Sequence, residues 1–309
     1  MKKMQKLLAL LALMLTIFSL STSAMAKDGQ TYGEYNKNAR KLKIAIMSDP
    51  HILLTGRRKV FIHALKDAKR LKIKTVLLDG DYAQKSSDTH FKYYSDTVKK
   101  YAKGLTLIEA SGNHDLTNRD DGKTAGFVTD VERQRWRKWF GKGVYYDQWV
   151  GKTHVIVLGS DSSEYAISGI STSGSYTNTQ LEWLKKLIEK DHRNRITTIV
   201  LTHYPIYGAW PTTVKGYYNN GTDAFLMDIV KKNKNVIVFT GHVHNSYKNN
   251  GKVLIYKALK GGMIVHAGAL VRAKPLYLTM TEYKKNVYKL EYRRVSNNKV
   301  LYTFKFKAK

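Results

Sequence analysis

Apolar positions along the chain fall into two alternating rhythms. Short unbroken runs at Leu42 to Met47, Thr75 to Leu78, Leu105 to Ala110, Ile196 to Leu201 and Val236 to Phe239 have the length and branched content of buried strands. Between them, Arg58 to Arg70 places Val60, Phe61, Ala64, Leu65 and Ala68 at helical spacing, and Asp88 to Lys103 and a segment around Thr129 to Phe140 read as further helices. Val144 to Val150 and His154 to Leu158, joined by Gly151-Lys152, predict a pair of strands, and Asn178 predicts the N-cap of a helix over Leu181 to Lys190. The alternation predicts an α/β fold with a largely parallel or mixed core sheet.

Two stretches break the rhythm. Gly and Ser crowd residues 168 to 175, and Gly208 to Thr222 carries Trp210, Pro211, Tyr217 and Tyr218 without periodicity, so both read as loops. From Val253 onward the runs are β-like, and the last forty residues alternate basic with apolar positions, as in Val287-Tyr288-Lys289-Leu290-Glu291-Tyr292-Arg293-Arg294. No repeat or long linker appears. Residues 27–41 are a polar lead-in, 42–270 one domain, and 271–309 basic C-terminal strands expected to extend or cover a sheet of that domain.

Composition changes this picture at the N-terminus and in the charge. Lys2, Lys3 and Lys6 precede an apolar stretch from Leu7 to Leu20, and Ala24-Met25-Ala26 offers an A-x-A cleavage site, so residues 1–26 read as a signal peptide, with a mature chain beginning near Lys27. The stretch is shorter than the ~20 residues of a spanning helix, so no membrane span is expected in the mature chain, and the expected location is bacterial, secreted or cell-wall associated. With no cysteine, neither a disulfide framework nor a lipid-anchored N-terminal cysteine is available. Against 24 Asp and Glu stand 53 Lys and Arg, a formal charge of +29. Such a field favours a polyanion, whether wall polymer, anionic lipid or nucleic acid, or else is a solvated basic surface.

The candidate chemistry gathers where strands end. The first run leads into Asp49-Pro50-His51, the second into Asp79-Gly80-Asp81, the third into Gly112-Asn113-His114-Asp115, the fourth into His203 and the fifth into Gly241-His242-Val243-His244. These are the oxygen and imidazole donors that divalent metals take, at the strand ends where open α/β sheets form ligand sites. Singly, an Asp-x-His or Gly-Asp pair is also an ordinary turn signal. His63, His90, His154, His192 and His266 fall within or beside predicted helices and strands and read as packing or local hydrogen bonding.

Taken in order, the five blocks resemble the calcineurin-like metallophosphoesterase superfamily, whose D-x-H, GD, GNH with a following acid, lone H and GHxH they match over residues 49 to 244. Ser160-Asp161 and Thr179 to Leu184 also resemble the family's central strand end and the helix after it. The resemblance implies a four-layer α/β/β/α sandwich and a dinuclear centre of two divalent ions, manganese, iron or zinc. Asp49, His51, Asp81 and His244 would hold one ion; Asp81, Asn113, His203 and His242 would hold the other, with Asp81 bridging. It further implies hydrolysis of a phosphodiester or phosphomonoester by a metal-bound hydroxide, with His114 stabilising charge or protonating the leaving group and Asp115 orienting the His114 ring.

The purple acid phosphatase branch shows D-x-G at the first block and a tyrosine three residues after the bridging aspartate; this chain has Asp49-Pro50-His51 and Gln84 there, so tyrosinate–iron ligation is not expected. Tyr204 and the Trp210 to Tyr218 loop are candidates for a substrate wall. Two further readings remain at this stage: a phosphatase or nucleotidase for small substrates tethered to wall or membrane by its basic strands, and a non-catalytic, metal-containing polyanion-binding protein.

Overall fold

The computed structural model describes residues 26–53, 56–117, 128–161, 175–209, 222–249 and 251–308. Residues 1–25, nearly all of the segment read as a signal peptide, and the Trp210 to Tyr218 stretch lie outside the described residues, as does most of the Gly- and Ser-rich stretch. No described helix is long and apolar enough to cross a membrane.

Two sheets stack face to face. One contains β2 (Lys43–Met47), β3 (Thr75–Asp79) and β4 (Thr106–Ala110), all parallel, extended on the β2 side by antiparallel β13 (Leu276–Lys284), β14 (Val287–Arg294) and β15 (Val300–Lys307). The other runs β1 (Gln30–Tyr32), β5 (Tyr146–Val150), β6 (Thr153–Val157), β7 (Thr198–Leu201), β8 (Val236–Thr240), β12 (Met263–His266) and β11 (Ile255–Lys257) in that order. Strands β9 (Lys248–Asn249) and β10 (Lys252–Val253) form a separate small hairpin.

Period-two alternation builds the layers. Ile44 and Ile46 of β2, Leu77 of β3, Ile199 and Leu201 of β7, and Ile237 and Phe239 of β8 point between the sheets into one core. Their neighbours point outward: Ala45, Met47, Val76 and Leu78 meet α1 (Arg57–Arg70), α2 (Asp88–Tyr101) and α3 (Asp130–Phe140) through Phe61, Leu65, Phe91 and Trp136. Ile156, Val200 and Val238 meet α4 (Asn178–Arg193) and α5 (Asp223–Lys232) through Leu184, Ile188, Leu226 and Val230. A strand apolar on both faces is what a layer covered on both sides requires, and each such side chain contributes roughly 1.5–3 kcal/mol on burial. The result is the four-layer α/β/β/α sandwich.

Several boundaries differ from the sequence reading. The cap of α4 is Thr177, whose hydroxyl accepts from the Gln180 amide at 3.3 Å, and Asn178 is the first helical residue. Within the polar lead-in, β1 pairs in parallel with β5, because Thr31 donates to the buried Asp147 and Asp28 takes the Val144 amide and the Arg137 guanidinium. Helix α5 follows the aperiodic 208–222 stretch, where no element was expected. Of the two placements expected for the C-terminal strands, they take the first and extend the sheet: β13 pairs directly with β2, the strand that leads into Asp49. His154 has the packing role expected of it, held between Asp191 (2.7 Å) and Asp147 (2.8 Å) and stacked on Trp149.

Candidate metal centre

The parallel strands of both sheets end at the same edge of the sandwich, and their following turns close on one another. Asp49, His51, Asp81, His242 and His244 all have positive φ, between 39° and 68°, five of the nine such non-glycine residues described. Left-handed backbone costs such residues about 1 kcal/mol or more each, and its concentration at one spot marks a site over-determined by its surroundings. The turns also touch backbone to backbone. A Cβ on Gly80 would lie 2.8 Å from the Gly112 Cα and nitrogen, and one on Gly112 2.6 Å from the Asp81 nitrogen, so glycine is required where these turns cross.

Two groups of donor atoms result. Those of Asp49, His51, Asp81 and His244 all lie within 4.8 Å of one another, as do those of Asp81, His203 and His242, so Asp81 belongs to both. In the first group His244 Nε2 is 3.0 Å from Asp49 Oδ1, and His51 Nε2 is 3.2 Å from His244 Nε2 and 3.4 Å from Asp81 Oδ2. In the second, His203 Nε2 stands 3.3 Å from the same Asp81 Oδ2. Asn113 of the third motif is buried, and its Oδ1 has no hydrogen-bond partner among the described residues.

The surrounding hydrogen bonds aim these atoms. Gln84 Oε1 accepts from His51 Nδ1 at 2.7 Å, and the Asp79 carbonyl accepts from His203 Nδ1 at 2.6 Å, which turns both Nε2 atoms towards the centre. Asp49 Oδ2 accepts from Ser48 Oγ and the His242 amide, turning Oδ1 inward. The His114 amide occupies Asp81 Oδ1 at 3.0 Å, so Asp81 Oδ2 is the oxygen shared by both groups.

Electrostatics follow from burial and these partners. Burial opposes ionisation of Asp49 and Asp81, yet the charges of His244 and His203 on the first, and of His203 and His114 on the second, hold both well below the ordinary carboxylate value. Burial likewise opposes charging of His203, but Asp81 and Asp49 push it up to about 10. His242, buried beside the charged His203, is pushed down to about 3. Without cations this is a nest of carboxylates neutralised by protons on imidazoles, with two imidazole nitrogens edge to edge and a buried amide oxygen unpaired. Divalent cations fit that donor set: they would replace the protons, and an unpaired buried oxygen such as Asn113 Oδ1 is the kind of neutral donor they take.

Of the two further site residues expected, His114 as the proton carrier and Asp115 as its orienting partner, His114 sits beside the centre and Asp115 acts on the backbone. The His114 ring packs edge-on against His51, 4.8 Å between centroids, and its Nδ1 donates to the Gln84 carbonyl at 2.8 Å. Asp115 does not orient that ring. Its oxygens accept from the backbone amides of Asp81 (2.7 Å), Gly112 (2.9 Å), Tyr82 (3.0 Å) and Ala83 (3.3 Å), pinning the turn of the bridging aspartate to the turn of Asn113. A side chain following a tight turn is better placed to bond the backbone of that turn than to reach its neighbour's ring. Burial and the Asp81 charge push the Asp115 carboxyl up to about 8.

Sequence reasoning missed Gln84 as a positioning residue, although one feature pointed to it: it occupies the place where purple acid phosphatases carry their tyrosine. It also missed Ser48, and Arg272, which donates to the His244 carbonyl. Tyr204 is no open wall; it is buried, with its ring against His203 and His242.

The family model for calcineurin-like phosphoesterases matches residues 42–246, the span that holds every donor described above. The chain belongs to that family. A curated relative, the rat cyclic GMP-AMP phosphodiesterase SMPDL3A, is 26% identical over 169 residues, which are 48% of this chain and 36% of the rat protein, so the likeness spans little more than a third of that relative. Among solved structures, a dimetal phosphatase from Danio rerio aligns with a TM-score of 0.60 at 10% identity, over 87% of this chain and 99% of that one. A purple acid phosphatase from yellow lupin aligns at 0.61 and 15% identity, over 88% of this chain and 55% of that one. At these identities the structures share the fold.

Proposed function

We propose that this protein is an exported phosphoesterase that cleaves a phosphodiester or phosphomonoester at a two-cation centre held by Asp49, His51, Asp81, Asn113, His203, His242 and His244. The observation that carries the reading is Asp81 Oδ2, shared by two converging donor groups beside an imidazole that belongs to neither. A purely structural centre has no use for His114. Two cations bound there would supply Lewis acidity at the phosphoryl oxygens and a nucleophile of lowered pKa.

The chain's own groups do the rest. Asp49 and Asp81, ionised, supply the negative charge that would hold the cations. His51 and His203, each fixed through Nδ1, keep Nε2 in place without reorganisation. With Nδ1 of His114 committed to a carbonyl, Nε2 is the atom through which a proton reaches the leaving oxygen. The name of the rat relative supports a diester, as does a charge of +29, which draws multiply charged substrates. The leader and its A-x-A site support export.

The test is hydrolysis of a chromogenic phosphodiester and the matching monoester by metal-stripped protein given manganese, zinc or iron. Metal-dependent turnover is expected, reduced about 10²–10⁴-fold by His114→Ala and by Asn113→Ala. Two bound metals with no turnover of either ester would remove the catalytic reading. Protein recovered from the medium of a bacterial host should begin at Lys27; retention in the cell with residues 1–26 attached would remove export.

A further inference from the structure

The strands that carry the metal donors begin at the opposite edge of the sandwich, and there the charge is of one sign. A cleft of about 800 Å³ opens between the starts of β2, β3 and β4 and the end of β5. Arg40, Lys41 and Lys43 enter it ahead of and at the start of β2, Lys69, Lys72 and Lys74 from the end of α1 and the turn after it, and Lys103 from the turn before β4. No carboxylate lines it. Lys41 and Lys43 donate to the carbonyls of Tyr283 and Leu71, and the other five have no ion-pair partner among the described residues.

Helix ends explain only part of this. Helices α1 and α2 both terminate at this edge, and each C-terminus, worth about half a negative charge, favours nearby lysines. Seven full charges exceed what two such ends attract, and Arg40, Lys41 and Lys43 follow no helix. A second cleft, of about 350 Å³, adjoins the first across the β5–β6 turn: Gly151 lines one and Lys152 the other. It adds Lys152, Arg195 and Lys285, and its one carboxylate, Glu282, is engaged by the amides of Leu42 and Asn286.

We propose that this basal track is a docking site for a linear phosphate-bearing polymer, separate from the metal centre. From Lys43 to Asp49 the chain runs about 20 Å at ~3.3 Å per residue, so a bound strand anchors the protein while the centre stays open. Concavity and length suit a strand more than a flat bilayer, and of the apolar lining Leu42 and Ile73 are buried while Ala39, Leu105 and Val150 are half-buried, so no exposed apolar side chain projects from it to insert into lipid. The larger cleft has no aromatic side chain on which bases would stack, so it reads phosphates alone.

The test measures binding of end-labelled, long-chain inorganic polyphosphate by fluorescence anisotropy, using metal-loaded protein carrying His114→Ala so that nothing is hydrolysed. One variant adds Lys69→Gln, Lys72→Gln, Lys74→Gln and Lys103→Gln; a control adds Lys185→Gln, Lys186→Gln, Lys190→Gln and Lys231→Gln, with the same change in net charge. We expect the cleft variant to bind about tenfold more weakly or worse and to flatten the slope of log affinity against log salt by about 3, with less than threefold loss in the control. With His114 intact, the four cleft substitutions should leave turnover of the chromogenic ester unchanged. Equal weakening in both variants would reduce the effect to overall charge and overturn the site. Tripolyphosphate competing as well as the long chain, or cleft-dependent binding to anionic vesicles tighter than to polyphosphate, would overturn the polymer strand as occupant.

Discussion

At the scale of single residues, the centre depends on groups that would never bind a cation themselves. Gln84 uses its side chain to fix His51 and its carbonyl to fix His114, so one residue sets two imidazoles. Gln84→Ala is expected to weaken metal binding about 10–100-fold while leaving the overall fold intact, as loss of a ligand's orienting partner does elsewhere. Titration of the metal-stripped variant with zinc or manganese against a competing chelator measures this, and an unchanged affinity would show that His51 needs no such partner. His203 was legible as a candidate because it follows a buried strand in order with four other donor blocks, although a lone histidine more often makes a local hydrogen bond. Gln84 was not, because its role exists only once His51 and His114 lie on either side of it.

At the scale of elements, the turns after β2, β3, β4, β7 and β8 make the site by crossing closely, and Asp115 ties two of them through four backbone amides. Gly112→Ala would drive a methyl group into Asp81, with its nearest approach to backbone being the Asp81 nitrogen at 2.6 Å. The expected outcome is a loss of stability of about 2 kcal/mol or more together with loss of metal binding, read by denaturant melts and metal titration. A variant of native stability and affinity would show that the turns yield more easily than their contacts imply. The strands and most helices were legible because each is a local pattern of apolar positions. The caps and β1 were not, since Thr177 and Asp28 act through partners that periodicity does not register.

At the scale of the whole molecule, donors from both sheets meet, so cations would clamp one sheet to the other. His203 sits above its ordinary value of about 6.5, at about 10, only because Asp81 and Asp49 face it. In metal-free protein that raised value contributes stability that is full below about pH 6.5 and is lost as pH rises through 10. At pH 7 His203 therefore carries a proton that a cation must expel. Calorimetric titration in two buffers of different ionisation enthalpy should show at least about one proton released per centre filled, with affinity rising as pH rises. No proton release would mean that His203 is not a ligand. Metal at 1,000 times its dissociation constant should stabilise the fold by about 4 kcal/mol, a rise in melting temperature of about 10 °C that chelator reverses.

What the sequence by itself determined was whatever is local: the apolar rhythm of strands and helices, and the five donor motifs, each of which sits within a few residues of the strand that presents it. The assignment of strands to two sheets was decided only by tertiary structure, because pairing joins residues as far apart as Ile46 and Leu278. The same holds for Asp115, whose carboxylate was legible as a group of the site but three of whose four backbone partners come from another turn. The basic track is the furthest case. Its charge was visible as +29 over the chain and in the C-terminal alternation, yet the concave site draws its cations from segments between Arg40 and Lys103, and only the folding of three strand starts onto one edge puts those charges together.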